Sequence, residues 1–329
     1  MEGVGPAGGT EMDRRTFLAL GLAAPLAFKS GLVSPKWAFS AEDNAIEVSF
    51  AADPSAPKVT LWQTPRQTGS QMMGYIFRTA TGETVVFDGG MPGDGKYLAE
   101  LLKKHCGGKV DAWYLTHAHG DHFGALGEIL AKTPDALEIK KLYFNFPNRE
   151  WLDKYEAGGR KWRDPFFAAV EKNFKGEIIA PKPGDVQKFG DALTIETLND
   201  FDESLTRNAI NNSTIIFRLD VAGKSLLMLG DLGAEGGDRV LKNVPKEKID
   251  ADFVQMAHHG QQGVTKEFYA VASPTVCLWP TPDWLWDNNA GGKGKNTGPW
   301  KTLETRAWME ELGIDKHYVS KDGLIKMTF

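Results

Sequence analysis

Cysteine is scarce in this sequence, since only Cys106 and Cys277 occur among 329 residues. One disulfide could form between them in an oxidising compartment, but nothing in their spacing demands it. Cys106 follows a helical pattern and Cys277 lies in the apolar segment "TVCLW", so we interpret both as free or inert. The chain is not a disulfide scaffold, and its 42% of apolar residues are enough for a sizeable core.

Long apolar runs and an excess of basic charge are also missing. No run of 18 uncharged apolar residues occurs, so no membrane-spanning helix is predicted in the mature chain. Lysines and arginines total 38 against 43 aspartates and glutamates, which gives a formal net charge of −5. This balance disfavours nucleic acid as a binding partner unless basic residues cluster on one face of the fold.

The N-terminal segment has a different character. Arg14 and Arg15 precede an apolar run, and small residues follow up to Ala41. A basic region, an apolar region and a small-residue cleavage site are typical of a secretory signal, and "DRRTFLAL" resembles a twin-arginine signal. We predict a signal segment over residues 1–41, with Met12 as an alternative start. A buried helix of the fold is the weaker interpretation, because the apolar run is short.

Export follows from that prediction. We expect the protein in the periplasm or outside the cell, delivered by the twin-arginine export machinery. No stable membrane span is expected after cleavage, whereas an uncleaved segment would anchor the protein at the membrane.

Strand and helix patterns alternate after residue 42. The strand pattern "DAWYLT" runs directly into the histidine cluster, and "FGALGEILAKT" then begins a helix at Phe123, so the cluster lies in a loop where such folds place their chemistry. Residues 143–175 form an aromatic-rich insert that predicts two helices around a Gly-Gly break. A Gly/Trp-rich loop is predicted over residues 280–300, and "KHYVSKDGLIKMTF" predicts a final hairpin.

Four ligand-type residues fall within six positions of that loop, in the pattern H-x-H-x-D-H: His117, His119, Asp121 and His122. Alternate positions of an extended loop point the same way, so the first two can bind one metal and the last two can reach a second. Imidazole and carboxylate together suit zinc, and also iron or manganese. A polar helix cap with chance histidines is the weaker interpretation.

Two later motifs end apolar strands in further ligand-type residues. "LLMLGD" ends in Asp231, and a carboxylate there is well placed to bridge two metals. "VQMAHHG" repeats the design with His258 and His259. Each motif alone is weak evidence for a metal site, because Gly-Asp after a strand is commonly a turn. Together, in this order and spacing along the chain, the motifs are strong evidence.

With these motifs the chain resembles the metallo-β-lactamase superfamily, from about Val59 to Phe329. It is most similar to the metallohydrolase domain of ComEC-type competence proteins and to bacterial phosphorylcholine esterases. The further segments that carry the resemblance are "VVFDGG", "NNSTIIFRL" and "YVSKDGLIKM". It implies an α+β fold, a four-layer αββα sandwich over residues 42–329, with a dinuclear metal site at the sheet edges.

The resemblance also implies ligand roles. The expected metal ligands are His117, His119, Asp121, His122, Asp231 and His258. The first two would bind one metal, the next two the other, and Asp231 would bridge both. One histidine of the late pair would complete the second site; we assign His258 as that ligand and His259 as a substrate contact. Asp88 matches an aspartate that orients the histidine loop.

One segment departs from the lactamase pattern. Lactamases and glyoxalases place another histidine on the first metal, in a "GHTxGS"-like segment, but here the matching region reads "NAINNSTI". The ComEC-type branch also has two asparagines and a serine there. The first metal is thus left with two histidines, Asp231 and water. Asn211 or Asn212 could contact the site, and we assign Asn212; an Asn-rich turn is the alternative.

These residues favour an exported metal-dependent hydrolase that binds two zinc ions per chain. We expect a phosphodiesterase or related ester hydrolase that uses a hydroxide held between the metals. Asp121 would orient the hydroxide, and His259 would donate to a substrate oxygen. The substrate would be a small or envelope-derived ester or phosphoester. A lactone or β-lactam hydrolase and a metal-binding surface protein without turnover are the alternatives.

Aromatic and basic residues near both irregular segments leave two interpretations open. They could wall a substrate cleft for a phosphate or choline-like head group, or pack these segments onto the body of the fold. The residues concerned are Trp151, Tyr155, Arg160, Trp162, Arg163, Phe166, Trp284, Trp286, Lys293, Lys295 and Trp300.

Overall fold

The computed structural model describes residues 45–329. The predicted signal segment at residues 1–41 lies outside this range, and its boundary with the hydrolase domain stays a prediction. No helix within residues 45–329 combines the length and apolar character that crossing a bilayer requires.

Most strands are short and belong to two large sheets. Their bounds are β1 (Ile46–Ser49), β2 (Val59–Gln63), β3 (Gly74–Thr79), β4 (Thr84–Asp88), β5 (Lys109–Val110), β6 (Ala112–Tyr114), β7 (Glu138–Ile139), β8 (Lys141–Tyr143), β9 (Glu177–Ile179), β10 (Val186–Phe189), β11 (Leu193–Thr197), β12 (Phe217–Val221), β13 (Lys224–Met228), β14 (Phe253–Gln255), β15 (Val276–Trp279), β16 (Lys316–Val319) and β17 (Ile325–Thr328).

The helices connect these strands. Their bounds are α1 (Gly95–Cys106), α2 (Gly120–Lys132), α3 (Arg149–Tyr155), α4 (Arg160–Asn173), α5 (Ala209–Asn212), α6 (Ala234–Asn243), α7 (Lys246–Ile249), α8 (Lys266–Ala272), α9 (Asp283–Trp286) and α10 (Thr302–Glu311). Short 3₁₀ turns lie at Ala157–Gly159, Ala257–Gly260, Ala290–Gly292 and Ser320–Asp322. Helices α3 and α4 flank Gly158-Gly159, so the prediction of two helices around that break is confirmed.

The two sheets have the same plan. The first has the order β1-β17-β2-β3-β4-β6-β8-β9, and the second has the order β10-β11-β12-β13-β14-β15-β16. In each sheet antiparallel strands continue into a parallel half, which runs from β4 to β9 in the first sheet and from β13 to β16 in the second. At the far edge of the first sheet β1 also pairs in parallel with β17. The carboxyl ends of parallel strands meet at one sheet edge, and polar residues follow them there.

Strand periodicity explains the layers. On β4, Val85 and Phe87 point between the two sheets and share a core cluster with Phe217 of β12. Val86 points to the opposite face, where it packs in a second cluster with Leu98 of α1. Because strand side chains alternate between faces, a continuously apolar strand must be covered on both.

The second sheet follows the same rule. Leu226 and Met228 of β13 point toward the first sheet, whereas Leu227 packs in a third cluster with Val240 of α6 and Phe268 of α8. Helices therefore cover the outer face of each sheet, and the predicted αββα sandwich is confirmed.

The prediction of a final hairpin is wrong. Strand β16 pairs in parallel with β15 in the second sheet, while β17 pairs with β1 and β2 in the first. The 3₁₀ turn between them carries the chain across the sandwich. Two adjacent strand patterns around a glycine predict two strands, but they do not show that the two strands belong to different sheets.

Both cysteines are buried and free, as the sequence indicates.

Candidate metal centre

The H-x-H-x-D-H loop begins where β6 ends and is held by Asp88 at the end of β4. Asp88 is fully buried, and its carboxylate accepts hydrogen bonds from the Thr116 backbone N–H (2.8 Å) and hydroxyl (2.9 Å). The same carboxylate lies 2.9 Å from Nδ1 of His122. Asp88 has a left-handed backbone (φ 53°), a strained conformation for a residue with a side chain. One carboxylate therefore fixes both ends of the loop.

The loop turns into a helix earlier than the sequence indicates. Helix α2 begins at Gly120, so Asp121 and His122 lie in its first turn, whereas His117 and His119 precede it. A carboxylate in the first turn is favoured by the helix dipole. A Cβ at Gly120 would lie 2.9 Å from Cγ of Trp162, so glycine allows the insert to pack on the loop.

A first group of donor atoms comes from His117, His119 and Asp231, and one atom of each lies within 4.8 Å of the others. Nε2 of His117 is 2.9 Å from Nδ1 of His119 and 3.8 Å from Oδ2 of Asp231. Asp231 reaches this point because β13 of the second sheet ends beside β6 of the first.

A second group consists of Asp121, His122, Asp231 and His259. Nε2 of His122 lies 3.2 Å from Oδ1 of Asp231, and Nε2 of His259 lies 3.2 Å from Oδ2 of Asp121. Asp231 is common to both groups and is 1% exposed. Its two oxygens lie between two sets of histidines, which is the arrangement of a bridging ligand.

The donor set fits a pair of divalent cations. Three buried atoms of the second group, Nε2 of His122, Nε2 of His259 and Oδ1 of Asp231, have no hydrogen-bond partner within residues 45–329. Buried polar atoms without partners cost free energy, and imidazole nitrogens and carboxylate oxygens are ligands that zinc, iron and manganese accept. These atoms converge, so a cation would satisfy all three at once.

Charges within the centre compensate one another. Burial opposes the ionised form of Asp231, but the imidazoles of His122 and His259 outweigh burial and hold its pKa well below the usual range. Burial also opposes charge on His122, yet the carboxylates of Asp231 and Asp88 raise its pKa well above the usual value. Burial and the neighbouring His122 lower the pKa of His117. A bound cation would replace such protons, because ligands bind metals in their deprotonated forms.

The late histidine pair is arranged the other way round from the sequence-based assignment. His259 is fully buried, with Nδ1 2.8 Å from the carbonyl of Pro280 and Nε2 in the second donor group. His258 is 19% exposed, and its Nε2 lies 3.9 Å from Oδ2 of Asp231, outside both groups. The geometry favours His259 as the ligand, whereas the sequence analysis assigned His258.

The physical reason is local backbone geometry. His258 and His259 both have left-handed backbones, with φ of 51° and 54°, in the 3₁₀ turn after β14. The alternation that orients strand side chains does not apply there. Nothing in the sequence "HHG" indicates which ring turns inward.

Asn212 lies outside the centre, contrary to the sequence-based prediction. Its Oδ1 accepts from the backbone N–H of Gly236 (3.0 Å), and its Nδ2 donates to the carbonyl of Arg207 (2.8 Å). Both polar ends are engaged in bracing helix α6 against its neighbouring loop. Asn211 contacts the residue beside the centre, since its Nδ2 lies 3.3 Å from Nε2 of His258.

Two contacts of the centre were missed by sequence reasoning. Nε2 of Gln71 donates to Oδ2 of Asp121 at 2.7 Å, and Oε1 of Glu156 lies 3.2 Å from Nε2 of His119. Gln71 belongs to the loop before β3, and Glu156 to the insert. A lone glutamine or glutamate in a loop has no recognisable pattern, so only the fold reveals these contacts.

The insert packs on the body of the fold. Phe166 is 2% exposed and lies 4.5 Å from the ring of Phe123 on α2, and the indole of Trp151 donates to the carbonyl of Glu203. Arg163, which is buried, pairs with acidic neighbours within the insert. The packing interpretation therefore holds for these residues.

The Gly/Trp-rich loop also makes internal contacts. Trp284 stacks edge-on against Trp300, the guanidinium of Arg306 lies 4.1 Å from the ring centre of Trp286, and Lys295 pairs with Asp287. Lys293 is exposed. The loop begins directly after Pro280, which holds His259, so it borders the centre.

Comparison with known proteins agrees with this geometry. Residues 73–268 match the family model described as the metallo-beta-lactamase superfamily. The ComE operon protein 3 of Bacillus subtilis (strain 168) is 32% identical over 173 residues, which are 52% of this chain and 20% of that protein. The chain thus spans about a fifth of that relative's length.

Two solved structures are similar to this chain at low sequence identity. The metallo-beta-lactamase fold protein YhfI from Bacillus subtilis has a TM-score of 0.48 and 13% identity, covering 80% of this chain and 98% of that one. Unliganded yeast PDE1 has a TM-score of 0.45 and 12% identity, covering 83% of this chain and 98% of that one.

Proposed function

Because this chain belongs to the metallo-beta-lactamase superfamily, we propose that it is a metal-dependent hydrolase with a dinuclear centre. The observation that carries the proposal is the position of Asp231. Its carboxylate lies between His117 on one side, at 3.8 Å, and His122 on the other, at 3.2 Å. One residue can therefore serve two cations that are held by separate histidines.

Six residues would hold the cations. The first would be bound by His117, His119 and Asp231, and the second by Asp121, His122, Asp231 and His259. Bound divalent cations supply Lewis acidity and make water a nucleophile at neutral pH. We propose zinc, with iron or manganese as alternatives that the same donors accept.

Three side chains handle the substrate and its protons. Asp121 is 15% exposed and is held by Gln71, so its carboxylate can accept a proton from the attacking water. Asn211 donates to Nε2 of His258, which leaves the imidazole proton on Nδ1, an atom without a hydrogen-bond partner. We propose that this buried Nδ1–H donates to a substrate oxygen.

We propose a phosphodiester or related ester as the substrate. The segment "NAINNSTI" supports this choice, because it folds into helix α5 and presents Asn211 where lactamases carry a metal-binding histidine. A polar amide beside His258 suits the oxygens of a tetrahedral phosphorus centre. The arginines of the insert form ion pairs with acids, which supports a small substrate rather than a polyanion.

A substrate panel tests this function. Purified protein with quantified metal is assayed against bis-p-nitrophenyl phosphate, p-nitrophenyl phosphate, a thioester and nitrocefin. We expect metal-dependent turnover, fastest on the diester. Less than one metal per chain, or turnover of nitrocefin alone, would contradict the proposal.

Export through the twin-arginine route is proposed from the sequence of residues 1–41 alone. Replacing Arg14 and Arg15 with lysine should retain the protein in the cytoplasm, as measured by fractionation. Export of the double variant by the wild-type route would contradict it.

A further inference from the structure

His119 lies between two partners, one on each ring nitrogen. Its Nδ1 is 2.9 Å from Nε2 of His117 and faces the first donor group. Its Nε2 is 3.2 Å from Oε1 of Glu156. A histidine that binds a metal through Nδ1 carries its proton on Nε2, and that proton needs an acceptor. Glu156 lies where the acceptor is required.

Glu156 comes from the insert and not from the sandwich. It follows the last residue of α3, and its Oε2 accepts from Nη1 of Arg163 at 2.9 Å. Arg163 is 2% exposed, and its Nη2 also donates to the carbonyl of Glu156 (2.6 Å) and to Oδ1 of Asp153 (3.1 Å). A buried, multiply bonded guanidinium thus fixes a carboxylate that would otherwise sample many rotamers.

Two glycines leave room for the insert to bring Glu156 to His119. A Cβ at Gly159 would overlap the guanidinium of Arg163 and lie 2.5 Å from Oε2 of Glu156. On the other side of the contact, Gly120 accepts the ring of Trp162. The Gly-Gly break therefore leaves room for the ion pair, and the insert packs directly on the metal loop.

We propose that Glu156 is a positioning residue for the first metal: its carboxylate, held by Arg163, accepts a hydrogen bond from the Nε2–H of His119 and so presents Nδ1 to the cation. This inference rests on the proposed function. The first donor group has three protein residues, because "NAINNSTI" supplies no histidine. With fewer ligands, the orientation and basicity of each one weigh more in the affinity.

A direct ligand role for Glu156 does not fit the geometry. The carboxylate lies on the Nε2 side of His119, whereas Nδ1 is the nitrogen that lies beside His117. A surface ion pair is the other alternative, since Glu156 is 39% exposed and exposed pairs contribute little to stability. Such a pair would affect neither metal affinity nor the spectrum of a bound ion.

Metal titration of the apo-protein separates these roles. Zinc is titrated against a competing chelator into the wild type, Glu156→Ala, Glu156→Gln and Asp153→Asn. We expect Glu156→Ala to weaken one of the two binding events by roughly 10- to 100-fold and leave the other unchanged. Gln keeps an acceptor for His119, so its loss should be smaller. Asp153→Asn removes the other carboxylate of Arg163 and should stay within about 2-fold of the wild type.

The visible absorption spectrum of the cobalt-substituted protein is a second measurement. A purely structural role of Glu156 would leave this spectrum unchanged. The visible bands of the cobalt protein should shift in Glu156→Ala and return toward the wild type in Glu156→Gln. The inference is overturned if Glu156→Ala, or Glu156→Leu where the alanine variant does not fold, binds both ions as tightly as the wild type with an unchanged spectrum. If the wild type itself binds no metal, the proposed function fails instead.

Discussion

Asp231 shows how much one side chain determines at the residue scale. It is the last of the "LLMLGD" motif, and it reaches His117, His122 and His259 within 4 Å. Two of these histidines follow β6 of the first sheet and one follows β14 of the second. One carboxylate therefore contacts ligand-type residues from both sheets. Neither its neighbours in the sequence nor its strand provides a substitute.

We expect Asp231→Asn to lose metal and activity together. An amide offers one oxygen without charge, so it can no longer serve two cations, and turnover should fall roughly 1,000-fold or more. Metal content per chain and kcat measure the effect. Asp238→Asn, on the exposed side of α6, is the matched control and should keep both. An Asp231→Asn variant with two tightly bound ions would contradict the bridging role.

The adjacent histidines offer a direct comparison. His259→Ala removes a donor of the second group, so metal per chain should fall toward one. His258→Ala should keep both ions and lower kcat by about 100-fold or more, because it removes a donor to the substrate. Each variant is the control for the other. The opposite pattern would restore the sequence-based assignment of His258 as the ligand.

Gly230, which follows β13, lies at a position that a residue with a side chain does not fit. It has φ of 50°, and a Cβ there would lie 2.8 Å from Oγ1 of Thr116 and 2.8 Å from Cγ2 of Thr214. The two sheets come together at this point, so Gly230→Ala should destabilise the fold by about 2–5 kcal/mol through strain and overpacking. Urea unfolding measures the change.

Gly223 is the matched control for that change. It also has a positive φ of 82°, but a Cβ there would meet nothing within 4 Å. Gly223→Ala should therefore cost only about 1 kcal/mol of unfolding free energy. Equal losses in the two variants would show that strain alone, and not the contact between sheets, requires glycine at position 230.

Asp94 connects the loop before β3 to helix α1. Its carboxylate accepts from the backbone N–H groups of Gln67 and Met91, both at 2.8 Å, and burial raises its pKa to about 7. Between about pH 4 and pH 7 the folded protein retains a proton that the unfolded chain has released. Stability should therefore decrease as pH rises through this window.

Denaturant unfolding at pH 5 and pH 8 measures that dependence. Asp94→Asn cannot titrate, so the difference in unfolding free energy between the two pH values should shrink by on the order of a few kcal/mol relative to the wild type. Asp238→Asn controls for the loss of a carboxylate elsewhere. An unchanged pH profile in Asp94→Asn would contradict the expectation.

At the scale of the whole molecule the centre connects the two sheets. Its ligands follow β6 of the first sheet and β13 and β14 of the second. Removing metal with a chelator should lower the thermal midpoint by about 5 °C or more, because cations at 100 times their Kd add about 2.7 kcal/mol. Added zinc should restore it. Asp231→Asn is the control, and its thermal midpoint should change neither with the chelator nor with added zinc.

Much of this architecture could be predicted from the sequence. Strands such as β4 and β13 are apolar on both faces, and a strand of that kind must be covered twice, which leads to the layered sandwich. The ligand-type residues of the H-x-H-x-D-H loop, Asp231 and the histidine pair follow strand ends, so parallel topology brings them to one edge. These are local patterns with a fixed spatial meaning.

The tertiary structure alone decided the finer assignments. Which of His258 and His259 turns inward depends on a left-handed turn, and Asn212 braces α6 because Gly236 comes within its reach. Glu156 meets His119 only because the insert folds back over the loop. The terminal strands separate because each completes a different sheet. Spacing along the chain specifies which face a residue occupies within its own element, whereas contacts between elements depend on packing that no local pattern encodes.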